Sequence, residues 1–470
     1  MNNFLIMYKL LSVGIITCIT GLSSIQQANA ENAEQKSKPN VIMITCHDIG
    51  QHLNCYGVNT VRTPSIDKLA EQGVVFRNAF STSGVCTPGR GSLHTGRYPQ
   101  SNGLMGLTHA PWWWQLNEGE KHTAKILGEH GYKTYLVGFN HIDPQNPRRL
   151  GYQLVPEIEG KGEEGIAQTA IGIINQLKTQ SDPVFIKIGF HLVHRPFTHG
   201  TDSVKGIFVP PYLADTKIMR KDLAEYQAQI HYFDKMVGEV LNALESSEVA
   251  KNTLLIFTSD HGIPYPGSKW TARRAGIQVP FMFYMPGTVF TGGKQIYDLF
   301  SNVDFLPTLL SFLGYDIPEN MQGMDFFPFL SGKTKKGPRE YVFAQYTTDM
   351  KRDNVSRSVL TEKYQLIRYF DQGRTVKWPV DVDPQEFANH VERAKSVAPR
   401  PFAQLFDIEN DPFELVDLSG KEDLQKVKDA LSEKLLEWMQ EVDDPLLKGP
   451  ERTPYYDKAM EDFVGKSPGK

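Results

Sequence analysis

Val41-Ile42-Met43-Ile44, running directly into Thr45-Cys46-His47-Asp48-Ile49-Gly50, is the stretch that decides how this chain is built. Four apolar residues in a row, three of them branched, read as a strand buried on both faces. The run then gives way abruptly to His47 and Asp48. The same pattern recurs twice. Residues 184–189 form a second apolar run and lead to His191 and His194. Residues 254–258 form a third and lead through Ser259 to Asp260-His261. Residues 134–137 are a fourth, less apolar run. Helical spacing lies between them, at 65–72 after a Thr-Pro dipeptide, at 122–129, and at 222–244. In the last of these, Leu223, Tyr226, Ile230, Phe233, Val237, Val240 and Leu244 fall on one helical face. Strands alternating with helices predict an α/β fold with a mainly parallel central sheet flanked by helices. In such sheets ligands bind beyond the carboxyl ends of the strands. The polar residues after these runs, far apart in sequence, are therefore expected to meet in one crevice.

After about Tyr341 the texture changes. Residues 364–369 and 402–406 read as strands, 378–384 as a Pro-rich loop, and 424–442 as a charged amphipathic helix. The expected organisation is a catalytic domain over 31–340 and a smaller α+β domain over 341–470. Residues 1–30 read as a cleavable export signal. Lys9 is the one charge before Glu31, a short apolar run follows it, and Ala28-Asn29-Ala30 supplies a small-x-small cleavage site after Ala30. That run is too short to span a bilayer, which needs about 20 residues, and no other stretch reads as a membrane span. The expected location is periplasmic or secreted. Net charge over the 470 residues is −4, which does not support a nucleic-acid partner. After cleavage three cysteines remain, Cys46, Cys55 and Cys86, an odd number that points to a free or modified thiol. Cys46 and Cys55 are either a pair or buried small hydrophobes. The triplet Trp112-Trp113-Trp114 is either a surface for sugar rings or a core plug.

Cys86-Thr87-Pro88-Gly89-Arg90, continuing to Thr95-Gly96, carries the chemistry. Pro88 suits the first turn of a helix. Cys86 then stands at a helix N-terminus, where free N–H groups and the dipole favour an anion such as sulfate. Arg90 returns to the same edge one turn later. This stretch resembles the signature of the formylglycine-dependent sulfatases: Cys or Ser, any residue, Pro, any residue, Arg, then Thr-Gly. The resemblance covers about 40–420. It implies an alkaline-phosphatase-like catalytic domain with a smaller C-terminal domain, and it implies that a maturing enzyme oxidises Cys86 to formylglycine. One hydroxyl of the aldehyde hydrate then attacks sulfur and the other helps expel sulfate, so one hard step becomes two.

Other segments resemble the same family. Asp48 and Asp260-His261 match its two metal motifs, and with residue 86 they imply a calcium site. His47 departs from the pattern, because most members carry a second aspartate there, and no metal role is assigned to it. His194, in His194-Arg195-Pro196, matches an element that contacts the sulfate or the leaving oxygen. His141 matches a histidine that assists the formylglycine chemistry. Phe139 replaces a lysine, so Arg90 and Lys269 would have to bind the sulfate. Lys269, in a polar segment after a strand, is expected to be solvent-accessible. Within the family the chain is most similar to the sulfamidase-like branch, which includes enzymes for N-sulfated glucosamine; exported bacterial relatives act on algal polysaccharides such as ulvan. The implied substrate is a sulfated carbohydrate. A formylglycine-dependent phosphodiesterase or phosphonate hydrolase is a second reading, and an inactive glycan-binding protein a third.

Overall fold

Seven strands join into one sheet in the computed structural model, which describes residues 38–347, 355–370 and 401–450, with positions 454, 457 and 460. In chain order the main elements are β1 (Asn40–Cys46), α1 (Pro64–Gln72), β2 (Val74–Phe76), α2 (Cys86–Thr95), α3 (Thr123–Glu129), β3 (Lys133–Gly138), α4 (Gly162–Gln176), β4 (Val184–Gly189), α5 (Lys217–Glu245), β5 (Thr253–Ser259), β6 (Phe281–Tyr284), β7 (Lys294–Ile296), α6 (Phe305–Leu313), β8 (Val342–Tyr346), β9 (Ser356–Leu360), β10 (Tyr364–Tyr369), β11 (Ala403–Asp407) and α7 (Gln425–Glu441). The export signal and the loop at 378–384 fall outside the described residues.

The strand order is β3-β4-β1-β5-β6-β2-β7. β1 lies at the centre, parallel to β4 on one side and β5 on the other, with Ile42 opposite Ile186 and Leu255. β3 extends the parallel set beside β4. All four strands therefore end at the same edge of the sheet. β6 runs antiparallel to β5 and to β2. The sequence reading did not list β2 or β6, which span only Val74–Phe76 and Phe281–Tyr284.

Alternation along β1 explains its unbroken apolar run. Ile42 and Ile44 face a core shared with Phe233 and Val237 of α5, while Val41 and Met43 face a core shared with Leu127 of α3 and Phe305 of α6. The anticipated apolar face of α5 is buried throughout. The helix starts at Lys217, ahead of the expected residue, because the Thr216 side chain accepts from the Met219 N–H and caps it.

The C-terminal part is a separate antiparallel sheet, β8-β9-β10-β11, covered by α7. Its core takes in Tyr98 and Val303 together with Val359, Leu366 and Trp438, and the Phe343 and Trp438 rings stack at 5.0 Å. Cys46 and Cys55 are both free thiols; Cys46 is buried and packs as a small hydrophobe.

Candidate active site

The turn after β1 sets the centre of the site. Asp48 adopts φ 51°, a left-handed conformation that aspartate tolerates better than most residues. Its N–H donates to Asp260 Oδ1 at 3.0 Å, and its C=O accepts from the Tyr226 hydroxyl of α5 at 2.7 Å. β1 and β5 are neighbours in register, so the residues just past their ends are adjacent. The segment after β4 continues the pairing. His47 N–H donates to Leu192 O at 2.7 Å and Val193 N–H to His47 O at 3.1 Å, which sets His191 and His194 alongside.

Cys86 opens α2, and every residue of that helix is buried. The Cys86 Sγ lies 3.2 Å from His261 Nε2. One turn on, the Arg90 guanidinium donates to Asp260 Oδ2 from Nε at 3.2 Å and Nη2 at 3.0 Å, and to Cys46 O at 2.8 Å. Burial by itself would raise the Asp260 carboxyl, but His261, Arg90 and His47 outweigh it and hold the group well below the usual carboxylate range. Burial, reinforced by Asp260, pushes the Cys86 thiol far up, so the unmodified side chain is a poor nucleophile.

All eight sequence-assigned positions come together. His47, Asp48, Cys86 and Asp260 present donor atoms within 4.8 Å of one another, as do His47, Cys86 and His141. Lys269 Nζ donates to Asp48 Oδ2 at 2.8 Å and lies 3.3 Å from His194 Nε2. The expectation that Lys269 is solvent-accessible is wrong. It is 2 % exposed, because the Asp48 carboxylate draws the ammonium inward across 221 positions of sequence. Burial and the nearby Arg90 keep His47 and His141 well below the usual histidine range, so both rings are neutral near pH 7.

The donor chemistry fits a cation. His261 Nδ1 donates to the Gly262 carbonyl at 2.9 Å, which turns Nε2 toward Asp48 Oδ1 at 3.1 Å and Cys86 Sγ at 3.2 Å. Asp48 Oδ1 and His47 Nε2 are buried without a hydrogen-bond partner, while His47 Nδ1 lies 2.9 Å from Asp260 Oδ2.

Other neighbours, Phe139 apart, carried no sequence signal. His109, in an irregular loop, stacks on His141 at 5.5 Å, and Phe139 meets His47 edge-on at 4.6 Å. Lys187 points inside from β4 and donates to Phe139 O at 2.8 Å, with burial pushing its ammonium well down. Glu163, in the first turn of α4, accepts from the His191 N–H at 3.1 Å and so steadies the segment carrying His194. Burial lifts Glu163 from 4.5 to about 7. The folded protein thus holds an extra proton between those values, and stability falls as pH rises through that window. Glu163→Gln is expected to flatten this part of the unfolding-midpoint-versus-pH curve in thermal denaturation. An unchanged slope would remove Glu163 from the account.

Comparison with known proteins agrees with this geometry. The family model described as Sulfatase matches residues 39–315, and the model for the C-terminal part of N-sulphoglucosamine sulphohydrolase matches 269–399. An ulvan-active sulfatase of Formosa agariphila is 30% identical over 87% of this chain and 81% of its own length. Human N-sulphoglucosamine sulphohydrolase is 24% identical over 88% of this chain and 92% of its own. In fold, a solved Bacteroides fragilis protein of sulfatase description superposes with a TM-score of 0.69 at 21% identity, over 89% of this chain and 99% of that one. The chain belongs to the sulfatase family, and the reaction it carries out is the hydrolysis of a sulfuric ester.

Proposed function

We propose that this enzyme removes sulfate, as an O- or N-sulfate, from a sulfated polysaccharide or its oligosaccharides, such as ulvan, another algal glycan or a glycosaminoglycan. The observation that carries the reading is the convergence of Cys86, Asp48 and Asp260 within 4.8 Å, with Lys269 and His194 beside them. The Formosa agariphila and human relatives, named for ulvan and for N-sulphoglucosamine, support the substrate class. Residue 86, converted to formylglycine by a separate maturing enzyme, supplies a hydroxyl nucleophile for sulfur. Asp48, Asp260, His261 and residue 86 would hold a calcium ion, which when bound would offset charge on the sulfate.

The remaining work falls to the side chains. Arg90 fixes the Asp260 carboxylate and lends positive charge to the helix end where the sulfate docks. Lys269 supplies the second cation. His141 borders the reacting position of residue 86. His194 Nδ1 donates to the Arg195 carbonyl at 2.7 Å, and its Nε2 lies 3.3 Å from Lys269 Nζ. Protonated there, it donates to the departing sugar oxygen. The boundary near 340 is proposed on the start of β8 at Val342. Among the described residues no helix is long and apolar enough to cross a membrane, and export rests on residues 1–30.

The test is inorganic sulfate release from a panel of ulvan and glycosaminoglycan fragments, with nitrophenyl sulfate and phosphorus esters alongside. Activity confined to aryl sulfates or to phosphorus esters would contradict the proposal. On glycans His194→Ala is expected to lower turnover about 10²–10⁴-fold. It should lose much less on nitrophenyl sulfate, whose leaving group needs no proton. Equal losses on both would take the acid role away from His194.

A further inference from the structure

The tryptophan triplet serves neither of its two expected roles as a unit. The three side chains go to three different places. Trp114 is buried, and its ring sits where a Cβ on Gly106 would come within 2.5 Å, so only glycine leaves room for it. Trp112 packs beside the cluster that contains Cys86, Leu107 and Trp270. Trp113 turns outward and is 44% exposed. Its backbone is held at φ 57°, with its N–H donating to His109 O at 3.2 Å. A bulky residue in the left-handed region is a genuine outlier, and here no core burial compensates for it. Such strain is retained where a side chain has to be presented.

Trp113 presents its ring to a groove of about 990 Å³. Gln100, Gln115, Asn117, Glu118 and Lys448 also line it. The Gln100 amide nitrogen is committed to Asp444 at 2.9 Å, while its Oε1 is buried without a partner. Lys448 reaches the groove from the C-terminal side and is paired at the surface with Asp443 at 2.7 Å. An exposed indole face flanked by side-chain amides, with Lys448 at one edge beside the carboxylates of Asp443 and Glu118, is the aromatic and polar lining that suits a sugar chain. The same loop borders both places. Trp112 beside the Cys86 cluster and Trp113 at the groove are consecutive residues, so one short stretch of chain joins the two places.

We propose that the groove at Trp113 is a second glycan-binding subsite, which takes sugar units of the sulfated chain beyond the unit that reacts at residue 86. The inference rests on the polysaccharide reading above. It makes chain length matter: long substrates engage the groove and short ones do not.

The experiment compares wild type, Trp113→Ala and Trp113→Phe on nitrophenyl sulfate and on short and long ulvan and heparin oligosaccharides. In parallel, binding of the same long chains to Cys86→Ala and to Cys86→Ala/Trp113→Ala is followed by affinity electrophoresis. Trp113→Ala should keep aryl sulfate turnover and short-chain kcat/KM, and lose about tenfold in kcat/KM on long chains, the size of one lost aromatic contact. Trp113→Phe should recover part of the loss. Long-chain binding to the inactive protein should weaken to match. If wild type cleaves no glycan and binding still depends on Trp113, the substrate reading fails and the subsite stands. If long-chain kinetics and binding are indifferent to Trp113, or if no long chain binds, the subsite is refuted while glycan cleavage is judged separately. A change of oligomeric state in Trp113→Ala by light scattering, with glycan binding intact, would make the groove a contact between copies and overturn the proposal.

Discussion

Cys86→Ala should abolish sulfate release and leave the protein folded. The side chain is 3 % exposed and begins α2, where alanine is at least as favourable to the helix as cysteine. The substitution removes one sulfur atom and a 3.2 Å contact with His261 Nε2. A deletion of that size costs about 1 kcal/mol, a small part of the stability of a chain of this length. Activity, in contrast, loses the side chain whose oxidation to formylglycine supplies the attacking hydroxyl of the proposed reaction. Unfolding midpoint and sulfate release measured on the same preparation check both halves. A variant within tenfold of wild-type turnover would remove residue 86 from the chemistry.

Asp260→Ala should cost both stability and activity. Asp260 accepts from two nitrogens of Arg90, from the backbone N–H of Asp48 at 3.0 Å and from its neighbour His261 at 3.0 Å, and it lies 2.9 Å from His47 Nδ1. Its loss leaves the Arg90 guanidinium buried without its carboxylate. Breaking a buried pair in this way costs about 3–5 kcal/mol. It also frees the turn that aims Asp48. Asp260→Asn keeps the shape and one accepting oxygen, enough for the Asp48 and His261 N–H groups, but sets an NH2 donor and no charge against Arg90, so it should recover part of the stability and little of the turnover. Urea unfolding, sulfate release and metal content of the three proteins separate the effects. An Asp260→Ala protein as stable and as active as wild type would show that this carboxylate is not the hub described here.

How much of this could be read from residues alone depended on how local each cause was. β1, β4 and β5 are buried on both faces, so their apolar runs are unbroken and stand out in the sequence. The buried face of α5 repeats over seven positions and was equally plain. β2 and β6 are short and antiparallel at the far side of the sheet, where neither length nor period marks them. The site was legible because three parallel strands end together and each is followed by polar residues. Lys269 was misjudged because its burial comes from Asp48, a partner distant in the chain. His109 and Lys187 reach the site through packing that leaves no local pattern. His47 was set aside for departing from the motif, yet its ring lies among the donor atoms of Asp48, Cys86 and Asp260. Glu163 lies in the first turn of a helix that the reading did not list.

The most direct test of the central claim is mass spectrometry of the peptide that contains residue 86, taken from a preparation whose sulfate release has been measured. The account predicts an aldehyde in place of the Cys86 thiol, in a fraction that rises and falls with specific activity across preparations. Full activity from protein that carries only the unmodified thiol would contradict it.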